Sequence, residues 1–71
     1  MTYKGFVGSV EVDESEGMIY GRVINLTRDT VTFAGESVAE ARRDFEDAVD
    51  EYLEWAREEG FEPEKPQKDE T

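Results

Sequence analysis

Between residues 37 and 60 apolar side chains return with helical spacing. At about 100° per residue, Val38, Ala41, Phe45, Ala48, Val49, Tyr52, Trp55 and Ala56 fall on one broad arc, with Leu53 at its edge. Both ends of the segment are marked. Ser37 followed three residues later by Glu40 matches a capping box, in which the serine oxygen accepts the N3 amide proton. Gly60 can take the left-handed conformation that closes the last turn, and Pro63 forbids resumption. The pattern predicts one long amphipathic helix with an apolar arc that something else must cover.

Upstream the period is two. Over residues 3–12, Phe6, Gly8, Val10 and Val12 alternate with Tyr3, Gly5, Val7 and Ser9, which predicts a strand. The polar tract 13–17 ends in Gly17 and suits a hairpin loop of four or five residues. A second strand follows over residues 18–24, a short connection over 25–29, and a β-branched and aromatic third strand over 30–33. Two short links imply antiparallel neighbours, because a parallel pair needs a crossover of about a dozen residues. The expected fold class is therefore α+β: a three-stranded antiparallel meander with one long helix packed on one face, spanning residues 1–60. A linker or disordered tail is expected over 61–71, with Phe61 placed to fold back on the helix end.

In this arrangement Phe6, Val10, Val12, Ile19, Val23, Val31 and Phe33 form the covered sheet face, meeting Phe45, Val49, Tyr52 and Ala56 from the helix. The opposite face would carry Tyr3, Val7, Met18, Tyr20 and Ile24 around Arg22. That is an apolar patch which a lone sheet leaves wet, and so an expected oligomer face.

Charge changes the picture next. Nineteen acidic residues against eight basic ones give a formal charge of −11, which opposes binding to nucleic acid or anionic membranes and attracts basic partners. Within the helix Glu40, Asp44, Asp47, Glu51, Glu54 and Glu58 form a stripe about 80° wide, nearly opposite the apolar arc and without Lys or Arg. Each like-charge neighbour pair in it costs about 0.2–0.5 kcal/mol. A chain of 71 residues is one domain that buries only about 60% of its unfolded surface. Lacking cysteine, it has no disulfide or thiolate staple, which makes a homodimer the expected supplement. The start has no signal-like basic and apolar regions, and no apolar run approaches a membrane span, so a cytoplasmic protein is expected.

The absence of histidine and cysteine removes the usual general base, the thiol nucleophile and the commonest transition-metal ligands. Catalysis would have to rest on carboxylates. Asp13, Glu14 and Glu16 are close enough in sequence to consider for Mg²⁺-dependent phosphodiester hydrolysis, but the strand positions that could hold inward carboxylates carry Phe6, Val10, Ile19 and Val23. The loop lacks EF-hand spacing, and no phosphate-binding glycine pattern occurs. No enzyme, metal or cofactor is expected. Trp55, beside the acidic stripe, is either a rim-packing residue or an interface anchor of the kind that dominates binding energy.

Taken together, YKGFVGSVEVDESEGMIYGRVINL, TVTFAGESVAEARRDFEDAVDEYLEW and EPEKP resemble the HicB-like antitoxin family over about residues 3–66. The more specific phrases are Gly21 to Val23, Phe33 to Ser37 and Phe45 to Leu53. The resemblance implies a truncated RNase H-like β-β-β-α fold without nuclease chemistry, whose usual work is to bind and block a small basic mRNA-cleaving toxin of the HicA type. Members often continue into a ribbon-helix-helix or helix-turn-helix segment that binds operator DNA; these 71 residues contain none, and DNA binding by them is not expected. The leading expectation is an antitoxin-like interaction protein. The helix stripe and the hairpin acids Asp13, Glu14 and Glu16 would steer a cationic partner, and anchors such as Trp55 or Tyr20 would fix the docked state. The alternatives are an orphan HicB-like regulatory or structural module, and the carboxylate-based nuclease.

Overall fold

The computed structural model describes residues 1–27 and 29–63. From residue 64 onward the expected tail lies outside the described residues. The chain forms β1 (Thr2–Tyr3), β2 (Phe6–Asp13), β3 (Met18–Val23), β4 (Thr32–Gly35) and α1 (Val38–Glu59), and the strands make one antiparallel sheet in the order β1-β2-β3-β4.

The sheet has four strands where the sequence pattern predicted three, because the first expected strand breaks at Lys4 and Gly5. Both take positive φ, 51° and 86°, and Tyr3 pairs directly with Phe6. Positive φ at both central residues is the signature of the two-residue turn whose twist matches antiparallel strands. The break also moves Tyr3. As the cross-strand partner of Phe6 it lies on the helix side of the sheet, where its hydroxyl donates to the Asp50 carboxylate at 3.0 Å, so its expected place on the outer face is corrected.

The hairpin between β2 and β3 is closed by a four-residue loop beyond the Asp13–Met18 pair. Asp13 organises it: one carboxylate oxygen accepts from the Ser15 hydroxyl at 2.7 Å and from the Ser15 and Glu16 amides at 3.1 and 3.4 Å. The last strand begins two residues later than expected, although the Val23 amide already donates to Val31 at 2.9 Å. Asn25 holds the intervening segment, accepting from the Val7 amide at 3.0 Å and donating to the Gly5 carbonyl at 2.9 Å.

The helix has the predicted ends. The Ser37 hydroxyl accepts from the Glu40 amide at 3.2 Å, and Gly60, at φ 79°, donates to Ala56 at 3.0 Å. Its buried stripe is Ala41, Phe45, Val49, Tyr52 and Ala56. These meet Phe6, Ile19, Val23, Val31 and Phe33 from the sheet, with Phe33 and Phe45 ring centroids 5.0 Å apart and Phe6 edge-on to Tyr52 at 6.3 Å. Full burial of a residue such as Phe45 or Val49 contributes about 1.5–3 kcal/mol. Tyr52 also donates its hydroxyl to the Asp29 carboxylate, tying the helix to the segment before β4.

Two expected core members are not covered. Val10 and Val12 are 44% and 66% exposed. Their parity is as predicted, since Val10 pairs with Gly21 and Val12 with Ile19, but the helix crosses the sheet on a diagonal. It starts over β4, where Gly35 abuts Ala41, and meets β1 and β2 at Tyr3 and Phe6, while the far end of β2 stays bare.

Candidate functional site

The helix face opposite the core carries a line of acidic residues along the 22 residues of α1. Glu40, Asp44, Asp47, Glu51, Glu54 and Glu58 are all exposed along it, as the periodicity required. They are not equivalent. Asp44 accepts the Ala34 amide of β4 at 2.9 Å, so one of the six carboxylates caps an outward-pointing donor on the sheet edge. Glu54 lies 3.8 Å from the Arg57 guanidinium, and Arg42 pairs with Glu46 at 3.5 Å beside the stripe. Glu40, Asp47, Glu51 and Glu58 complete the stripe.

Trp55 sits at the C-terminal end of this face, 53% exposed. Phe61 folds back against it edge-on, with centroids 4.8 Å apart, so the indole is steadied while half its surface stays in water. The hairpin acids are divided. Glu14 and Glu16 are exposed, and Glu16 accepts from the Tyr20 hydroxyl at 3.4 Å. Asp13 is turned onto its own loop, and the Ser15 hydroxyl and loop amides hold its pKa below the ordinary carboxylate value. One of its two oxygens is thus engaged within the loop, and among the described residues no group of three or more acidic side chains converges on a possible metal position.

On the outer sheet face Val7 and Met18 are half-buried, while Tyr20 and Ile24 are largely exposed. A shallow open depression between Ser9, Glu11, Tyr20, Arg22 and Thr32 crosses the same face. The neighbouring Glu16 charge is the main reason the Tyr20 hydroxyl titrates above its ordinary value.

Sequence periodicity gave no hint of one cluster. Asp50 accepts from the Tyr3 hydroxyl at 3.0 Å and from Lys4 Nζ at 2.8 Å, joining the first turn to the middle of the helix across 46 residues. The Lys4 bond is the leading cause of the lowered Asp50 pKa, and the Asp50 bond raises both Lys4 and Tyr3. The wheel could show that Asp50 lies off the acidic stripe, but not which strand residue would meet it.

The fold and surfaces define a small α+β domain: one helix with an acidic outer face on a four-stranded antiparallel sheet. Among the described residues no helix is long and apolar enough to cross a membrane. Comparison with protein-family models, with curated proteins and with solved structures finds no match to this chain.

Proposed function

We propose that this chain is a cytoplasmic interaction protein, and not an enzyme, that binds a small basic protein through the acidic face of α1. The observation that carries this reading is the exposure of the whole stripe from Glu40 to Glu58 on one side of a 22-residue helix, with an aromatic pair at its end. Repeated like-charge neighbours weaken a helix, and a cationic partner relieves that repulsion on docking. Long-range attraction speeds encounter, and Trp55 supplies desolvated contact area once the surfaces meet.

The resemblance to HicB-like antitoxins narrows the partner to a basic mRNA-cleaving toxin of the HicA type. Such a toxin must present a cationic surface to RNA phosphates, and a carboxylate face competes for the same surface. The exposed Tyr20 and Ile24, with Val7 and Met18, favour a homodimer contact on the outer sheet face as a second element of the assembly.

The test is co-expression of this chain, untagged, with a tagged basic reading frame adjacent to its gene. A stoichiometric complex whose yield falls with salt and in which RNA cleavage is suppressed is the expected result. A neighbour that purifies alone and cleaves RNA unhindered in the presence of this chain would overturn the reading.

A further inference from the structure

At the centre of the outer sheet face β2 and β3 bring four exposed residues together, Ser9 opposite Arg22 and Glu11 opposite Tyr20. Glu11 and Arg22 are diagonal neighbours, about 7–8 Å apart by strand geometry, and among the described residues neither makes an ion pair. Asp13, the other acid at an outward position of β2, is turned onto its own loop. The centre of this face therefore carries one charge of each sign, in a chain whose formal charge is −11. Around it Tyr20 and Ile24 present apolar surface, 43% and 53% exposed.

Charge selects the occupant. A basic protein is drawn to the acidic stripe of α1, on the other side of the domain, and would meet Arg22 here. A second copy offers the opposite sign to both charges at once, because a two-fold contact is self-complementary: Glu11 meets Arg22, and Arg22 meets Glu11. Two chains of like net charge repel, yet sheet-to-sheet packing keeps their acidic helices on the far sides, where separation is greatest and both stripes stay free. The same charges choose the axis. A two-fold along the Glu11–Arg22 diagonal sets like charge against like, whereas one along the Ser9–Tyr20 diagonal sets each Glu11 against Arg22 of the other copy, with Tyr20 close to the axis.

We propose that the outer sheet face packs on the same face of a second copy about this two-fold axis, with Glu11 of each chain paired to Arg22 of the other. The inference rests on the reading that this face is a homodimer contact, assigns that contact an axis and a charge pair, and is independent of the basic partner. Apolar area from Tyr20 and Ile24 supplies the attraction, and the reciprocal charges fix the register.

The test uses the full chain alone, by sedimentation equilibrium at physiological salt from about 1 μM to about 1 mM, the span that covers weak association. The native chain should dimerise within it, and its ¹⁵N amide shifts on dilution should cluster at Ser9, Glu11, Tyr20 and Arg22. Glu11→Lys and Arg22→Glu should each weaken the dimer at least about tenfold, because each sets like charges opposite one another in two symmetric places. Glu11→Lys also lowers the net negative charge, so general repulsion alone would strengthen its association. Mixing the two variants should restore a dimer, since the lysine of one then faces the new glutamate of the other, and the remaining Glu11 and Arg22 pair as before. If either variant fails to fold, the dilution shifts of the native chain decide. A native chain that stays monomeric to about 1 mM overturns the homodimer contact altogether. A dimer that both variants keep, or dilution shifts confined to the helix, overturns this face and leaves self-association standing. Variants that dissociate alone and stay apart when mixed overturn the reciprocal pairing.

Discussion

Phe33 lies across Gly21, its cross-strand partner, so closely that a Cβ built on Gly21 would come within 2.3 Å of the ring's Cζ atom. The same ring reaches the neighbouring strand, where a Cβ on Gly8 would stand 3.0 Å from Cζ. Two glycines on adjacent strands thus form the trough that seats one aromatic side chain, and Phe33 in turn packs on Phe45 of the helix.

Gly21→Ala should destabilise the domain by about 1–3 kcal/mol, the usual cost of overpacking a filled core. Chemical unfolding measures it. Combining it with Phe33→Leu, which removes the two colliding ring atoms and leaves the Ser9 carbonyl oxygen 2.6 Å from the new Cβ, should cost less than the sum of the two single changes.

Asp44 and Glu51 share the acidic stripe, yet only Asp44 accepts an amide from β4. Asp44→Ala should cost about 1 kcal/mol through the lost hydrogen bond. Glu51→Gln should be neutral or stabilising by about 0.2–0.5 kcal/mol as like-charge repulsion falls. Thermal unfolding of the two variants side by side would show a lowered midpoint for Asp44→Ala and an unchanged or raised one for Glu51→Gln.

Ser37→Ala removes the acceptor for the Glu40 amide and should cost about 1 kcal/mol, within the usual range for an N-cap serine. Far-UV circular dichroism during unfolding would report it, and Ser37→Asp should retain most of the stability.

Acid should act on the domain in part through Asp50. Its pKa is lowered chiefly by the Lys4 bond, so its contribution to stability is present above the ordinary aspartate value of 3.8 and is lost as pH falls through the lowered value. Lys4 is raised from 10.5, so its contribution is full below that value and is lost as pH rises through the raised one. Unfolding followed against pH should show a steeper acid loss for the native chain than for Asp50→Asn. The two should differ by a constant amount across neutral pH.

Charge reversal at Glu51, Glu54 and Glu58 together should slow association with the basic partner proposed above and flatten its salt dependence, leaving unfolding of the free domain little changed. Stopped-flow mixing at several salt concentrations measures the first effect.

The helix and its limits were legible from the residues alone, because Ser37, Gly60 and the 3.6-residue spacing act locally, and the wheel also placed the acidic stripe. The β2–β3 hairpin was legible as well, since alternation and the tract ending in Gly17 are short-range signals. Lys4 and Gly5 form a weaker version of the familiar Asn-Gly turn signal, so a period-two pattern running through them hid the break and misplaced Tyr3. Tertiary structure decided the rest. Whether Val10 and Val12 are core or surface depends on where the helix lies over the sheet, and it lies close to β4, where Gly35 abuts Ala41, and leaves both valines exposed. Likewise, which of six equivalent carboxylates would cap Ala34, and that Asp50 would meet Lys4, follow from packing between elements far apart in sequence. Periodicity reports which face a residue occupies; only the packed partner determines how far along that face the cover extends.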